Sequence, residues 1–135
     1  MDNGKHYRIE IPGNPVTKKN HQRILKNHRT GGRFIAPSEQ YVEYQEYAGW
    51  FIPELGISEK VNVKCLYYME THKKVDLVNL LECTCDVLVK YGALKDDSSD
   101  IIGSHDGSRV LYDKERPRVE IYIERRADND DRIES

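Results

Sequence analysis

Residues 74–97 read as one amphipathic helix with both ends marked and an acidic turn behind it. Leu77, Leu80, Leu81, Thr84, Leu88 and Tyr91 recur in steps of three and four, so they share a face. At about 100° per residue, Asn79, Glu82, Asp86 and Lys90 fall on the opposite face. Asp76 stands where an N-cap belongs, because its carboxylate can accept backbone N–H groups of the first turn. Gly92 suits the C-terminal stop, and Asp96 and Asp97 follow closely. A chain that returns beside the helix would bring Asp97 near Asp76. Clustered carboxylates repel, and a divalent cation is the usual reason to tolerate that. The pattern therefore predicts a magnesium site.

The elements around this helix are legible as alternation and turn chemistry. Tyr7, Ile9 and Ile11 alternate with Arg8 and Glu10 in a first strand, ended by Pro12-Gly13-Asn14-Pro15. A basic segment follows as a loop, with Thr30-Gly31-Gly32 as a turn and Arg33 to Ala36 as a short extended return. Ser38 is the expected N-cap of a helix carrying Tyr41, Tyr44, Gln45, Ala48 and Phe51 or Ile52 as its stripe, closed by Pro53 and Gly56. Tyr41, Tyr44, Tyr47 and Trp50 could form a base-stacking platform; their helical spacing favours core packing. Val61, Val63, Cys65, Tyr67 and Met69 share one face of the next strand. After the central helix, Ile101-Ile102 and Val110–Tyr112 read as two arms of a hairpin about His105-Asp106-Gly107-Ser108. Val119, Ile121 and Ile123 alternate in a last strand. The order predicts an α+β (mixed α/β) fold: a small mixed sheet packed with two main helices. Residues 1–126 form the expected single domain, and 127–135 an acidic, frayed tail.

Composition narrows the function classes. A chain of 135 residues with 38% hydrophobic and 33% charged residues is large enough for one real core with much solvated surface. A low apolar fraction also fits a core completed by a partner subunit. No apolar run approaches the roughly 20 residues of a membrane span. The first residues lack the apolar core of a signal peptide, which makes a cytoplasmic location the default. Cys65, Cys83 and Cys85 are odd in number, which argues against a disulfide framework. Cys83 and Cys85 point in nearly opposite directions on a helix, so a shared zinc is not expected. The net charge of −2 hides an asymmetry. Asp128, Asp130, Asp131 and Glu134 against Arg132 concentrate negative charge in the tail. Lys18, Lys19, Arg23, Lys26, Arg29 and Arg33 lie in a stretch with no acidic residue, together with His21 and His28. Such a segment suits a polyanion, although a solvated basic loop would look the same.

The acids carry the chemistry. Asp76 could serve only as a cap, Asp97 could merely close a turn, and Asp86 could be paired with Lys90. Together with Lys73 and Lys74 immediately before the helix, they suit metal-assisted phosphodiester hydrolysis. His105 and Arg109 are further candidates. His105 could act as a base or orient water, with a plain turn residue as the simpler reading.

The segment Val75-Asp76-Leu77-Val78-Asn79-Leu80, then Asp86-Val87-Leu88, Gly92 and Asp96-Asp97, resembles the RusA family of Holliday junction resolvases. Ile11-Pro12-Gly13-Asn14-Pro15 and Lys18-Lys19-Asn20-His21-Gln22-Arg23 resemble that family's Pro-rich turn and basic loop. The likeness runs from Tyr7 to Glu124. It implies a homodimeric, Mg²⁺-dependent (or Mn²⁺-dependent) crossover junction endodeoxyribonuclease, often of phage or prophage origin, that nicks four-way branched DNA symmetrically. Asp76 and Asp97 then match two of three catalytic aspartates.

Two positions depart from the pattern. The third aspartate falls at Val78, and Glu82 replaces a lysine implicated in catalysis. A valine cannot ligate a metal. Glu82 or Asp86 would have to supply the missing carboxylate, with Asp96 beside Asp97 and Asn79 as a supporting polar group. Lys18, Lys19, Arg23, Lys73 and Lys74 are the expected phosphate contacts. The alternative is a non-catalytic or weakly catalytic branched-DNA-binding dimer of the same fold.

Overall fold

The computed structural model describes residues 6–17, 22–26 and 33–126. Its elements run β1 (His6–Pro12), β2 (Gln22–Lys26), β3 (Arg33–Pro37), α1 (Glu39–Gly49), β4 (Val61–Met69), α2 (Leu77–Lys90), β5 (Ile102–Ser104), β6 (Arg109–Tyr112) and β7 (Arg118–Arg125). The main sheet places β1, β7 and β4 side by side and antiparallel. Beyond β4 come β5 and β6, both parallel to it, β5 at Val61–Asn62 and β6 at Leu66–Met69. With its two helices this mixed sheet is the α+β arrangement that the order of elements predicts.

β4 is organised by alternation. Val61, Val63, Cys65, Tyr67 and Met69 are all buried, in one cluster with Ile9 and Ile11 of β1 and Val119, Ile121 and Ile123 of β7. α2 adds Leu80, Val87 and Leu88 to the same cluster. Each such side chain contributes about 1.5–3 kcal/mol on burial. The Tyr67 hydroxyl meets Thr84 Oγ1 at 2.7 Å, and Thr84 Oγ1 donates to the Leu80 carbonyl at 2.9 Å. Since the carbonyl only accepts, the phenol is the donor to Thr84. This satisfies a buried hydroxyl and registers α2 on β4.

α1 starts at its expected cap, where Ser38 Oγ accepts from the Tyr41 N–H at 3.1 Å. It then lies against α2. A Cβ at Gly49 would fall 2.5 Å from the Tyr91 ring, so any larger residue would force that ring to shift. The aromatic residues of α1 do not all pack as expected. Tyr41 is buried and Tyr44 is packed on the core, whereas Tyr47 is exposed and Trp50 is 88% exposed. Trp50 is nine residues from Tyr41, which places it about 180° around the helix, away from the core stripe.

Three further expectations are corrected. Residues 22–26 are not loop but a strand, paired antiparallel with the expected extended return at 33–37, with Arg23 opposite Ala36 and Leu25 opposite Phe34. The uniform basic character of this stretch conceals its strand spacing. Second, β5 and β6 do not pair as a hairpin. The Asp106-Gly107 turn forms, with Gly107 at φ 87°. Buried Asn62 captures it, accepting from the Asp106 N–H at 2.8 Å and from Ser104 Oγ, and donating to the Asp106 carbonyl at 3.1 Å. The chain therefore continues along the edge of β4. Third, Asn79 is not on a solvated face of α2 but only 9% exposed. Cys83 and Cys85 are buried too, on opposite flanks, because α2 is covered on more than its sheet side.

The other sheet face carries charge. Arg118 bridges Glu120 at 2.7 Å and Asp113 at 2.8 Å, and its guanidinium lies 3.8 Å from the Tyr68 ring centre. Arg8 bridges Glu10, and Arg116 reaches Glu10 from the following turn. Among the described residues no helix is long and apolar enough to cross a membrane. Residues 127–135, read as an acidic tail, lie outside the described ones.

Burial pushes the Glu120 carboxyl up, but hydrogen bonds from Tyr122 and Arg118 outweigh it and hold the group below its usual range. A depressed carboxyl stabilises the fold above its unfolded pKa, and that contribution is lost as pH falls through the lower, folded value. Arg118→Met is expected to destabilise the protein by about 1–3 kcal/mol at neutral pH, because it leaves the buried Glu120 carboxylate without its Arg118 partner. Urea unfolding should show the gap to wild type narrowing as pH falls below the ordinary carboxylate range and Glu120 protonates.

Candidate active site and nucleic-acid interface

Asp76 is the N-cap of α2. Its Oδ1 accepts from the Val78 and Asn79 N–H groups at 3.0 and 3.4 Å. The carboxylate also meets the positive end of the helix dipole. From here α2 runs on to Asp86, ten residues and about 15 Å along the axis.

The acidic turn is held by a different part of the chain. After Gly92, at φ 87°, Ala93 and Leu94 are buried. The Gly56 and Ile57 N–H groups donate to the Gly92 and Ala93 carbonyls, and the Lys95 N–H donates back to the Ile57 carbonyl. These bonds pin residues 92–95 beside the segment that leaves α1. Asp96 Oδ1 then accepts from the Asp97 N–H at 2.8 Å, and the Ser98 carbonyl accepts from Ile101 and Ile102.

Pinned in this way, Asp97 lines a groove with Asp86, Val89 and Lys90 of α2 and Tyr41, Val42 and Gln45 of α1. The groove encloses about 340 Å³. Its walls are tied together, since Lys90 Nζ donates to Gln45 Oε1 at 3.1 Å. The field of these acids is felt nearby. Burial, with the charges of Asp86 and Asp97, pushes the Cys85 thiol up to about 12. Cys85 therefore keeps its proton and meets His105 Nε2 at 3.8 Å. His105 Nδ1 lies 2.8 Å from the Val63 carbonyl. The carbonyl fixes the proton on Nδ1, so Nε2 accepts from the thiol. His105 thus links β4 to α2 rather than standing free in a turn.

The sequence-predicted residues separate into distinct places. Asp86 and Asp97 share the groove. Asp76 caps the helix and is not among the groove's lining residues. Glu82 is exposed on α2; with Cys83 and Asp86 it raises the Tyr41 phenol, after burial as the main cause. Val78 is 71% exposed, one turn before Glu82. Among the described residues, no three His, Cys, Asp or Glu side chains are grouped to share an ion.

Lys73 and Lys74 are exposed in the segment before Asp76. They line a second cleft of about 440 Å³ with Thr71, His72, Val75, Val110, Leu111 and Tyr112. Arg109 is exposed at the start of β6. Arg23 is on β2, while Lys18 and Lys19 lie outside the described residues. Gln45, His72 and Tyr112 were not predicted as site residues, because no local pattern links α1 or β6 to these clefts.

Residues 12–124 match the family described as Endodeoxyribonuclease RusA, and the chain belongs to that family. This span includes both clefts and all of α2. The search of curated proteins finds no match.

The cap and any charge-dependent role of Asp76 can be separated. Asp76→Ala is expected to destabilise the protein by about 1 kcal/mol, and Asp76→Asn, a competent cap, by only a few tenths. Thermal unfolding of both variants checks this. If nicking falls in Asp76→Asn while its stability holds, the carboxylate has a second task beyond the cap.

Proposed function

We propose that this chain is a homodimeric, Mg²⁺-dependent endonuclease that resolves four-way DNA junctions by paired symmetric nicks. The observation that carries this reading is the convergence of Asp86 and Asp97 on one groove within the span matched to the family. Two carboxylates suffice for Mg²⁺, which commonly takes one or two from the protein and completes its shell with water and substrate phosphate. They are hard oxygen donors of the type this ion prefers. A cation bound there would supply a hydroxide nucleophile and neutralise charge on the departing 3′ oxygen, leaving a 5′ phosphate.

The chain's own residues do the rest. Lys73 and Lys74 bind backbone phosphates ahead of the helix, with Lys18, Lys19 and Arg23 as further contacts. Lys90, held by Gln45, bounds the groove beside Asp86. Two-fold symmetry would set two such grooves on opposite strands of a junction. In this arrangement Asp86, rather than Glu82, replaces the carboxylate missing at Val78, because Asp86 lines the groove with Asp97.

Val78 motivates a second reading, in which the same dimer binds branched DNA and cuts it poorly or not at all. A nicking assay on a synthetic four-way junction with Mg²⁺ separates the two. Asp97→Asn and Asp86→Asn are each expected to lower nicking about 10²-fold or more, the loss of several kcal/mol of transition-state stabilisation. Glu82→Gln should nick at close to the wild-type rate. Junction binding without Mg²⁺-dependent cleavage, unaffected by Asp97→Asn, would favour the non-catalytic reading.

A further inference from the structure

The cleft ahead of α2 holds more than phosphate-binding cations. The His72 and Tyr112 rings stack with centroids 3.8 Å apart and planes 28° from parallel. Both residues are exposed, Tyr112 to 45%. An aromatic pair stacked at the surface still offers an outer face to solvent. Val110, also partly exposed, lies two residues away on β6 and extends the apolar floor. The position of the pair is set by the sheet rather than by a loose loop. Tyr112 pairs in register with Met69 at the end of β4, and the next N–H, from Asp113, donates to the Met69 carbonyl at 2.9 Å. His72 follows three residues after Met69. Lys73, Lys74 and Val75 complete the same wall, and Asp76 begins the helix immediately behind.

A flat π-surface, an apolar floor and two adjacent ammonium groups match one ligand chemistry: a nucleobase attached to a charged backbone. A paired base in a duplex shows no free face to stack on. We infer that His72 and Tyr112 form a stacking platform for an unpaired nucleotide of the DNA substrate, with Lys73 and Lys74 holding its flanking phosphates. The inference rests on the proposed action on branched DNA, and it supplies a reason for selectivity: only strands opened at a branch point offer such a base. It also places that base beside the start of α2, so that the strand then continues along the helix toward Asp86 and Asp97.

The test uses the full chain without divalent cation, so that binding alone is read. The probe is a short labelled single-stranded oligonucleotide carrying 2-aminopurine, with a fully paired duplex of the same sequence alongside. Tyr112→Ala is expected to bind the single strand about tenfold more weakly, the usual loss for one stacked base. Tyr112→Phe should bind like the wild type. Tyr112→Leu, which keeps apolar bulk without the π-face, should lose as much as the alanine variant and guards against a folding artefact. Duplex affinity should be nearly unchanged in all three. The 2-aminopurine fluorescence should be quenched by wild type and by Tyr112→Phe only. Equal single-strand affinity in wild type and Tyr112→Ala, or no single-strand binding by wild type, overturns the platform. A wild type that stacks single strands through Tyr112 yet nicks no junction supports the platform and counts against the nuclease reading alone.

Discussion

The structure depends on how α2 is seated on β4. The apolar faces of the two elements supply the driving force, which is non-directional and would tolerate sliding. The Tyr67–Thr84–Leu80 hydrogen-bond chain removes that freedom. A buried phenol without a partner costs about 1–3 kcal/mol, so any shift of α2 that separates Tyr67 from Thr84 is disfavoured. Burial also raises the Tyr67 phenol well above its usual value, which keeps the donor proton in place. With α2 fixed in register, its start, its polar flank and its stop all acquire definite positions.

Those positions divide the labour of the helix. At its start, the Asp76 carboxylate binds the first-turn amides and stands next to the Lys73–Lys74 cleft. On its flank, Asp86 faces a groove shared with α1. At its end, Gly92 turns the chain into the segment paired with Ile57, and this delivers Asp97 to the same groove. The close approach of α1, made possible by Gly49, forms the opposite wall. The substitution of valine at 78 is tolerated by the fold because that side chain points to solvent.

The charged residues are similarly reorganised by the fold. In sequence they look like undifferentiated solvated surface. In three dimensions Arg8, Glu10, Asp113, Arg116, Arg118 and Glu120 gather on the sheet face opposite the core and neutralise one another. Lys73 and Lys74 stay outside that network, which leaves their charge available beside the aromatic pair.

How much was legible follows from the range of the interactions involved. The caps at Ser38 and Asp76, the stop at Gly92 and the alternating faces of β1, β4 and β7 depend on residues within a few positions of one another. The sequence alone determined them, as it did the acidic and family-like character of residues 74–97. The angle between Trp50 and Tyr41 on a helix by itself sets Trp50 on the outer side of α1. Other features had no local signal. The β2–β3 ladder is chosen by pairing between two separate segments, Asn62 redirects β5 and β6 through a side chain some forty residues away in sequence, and His105 finds its partners on β4 and α2. The meeting of Asp97 with Asp86, and of Tyr112 with His72, was decided only by the tertiary structure. Helix periodicity states which residues share a face, but which distant segment is brought to that face depends on sheet order and on long-range hydrogen bonds.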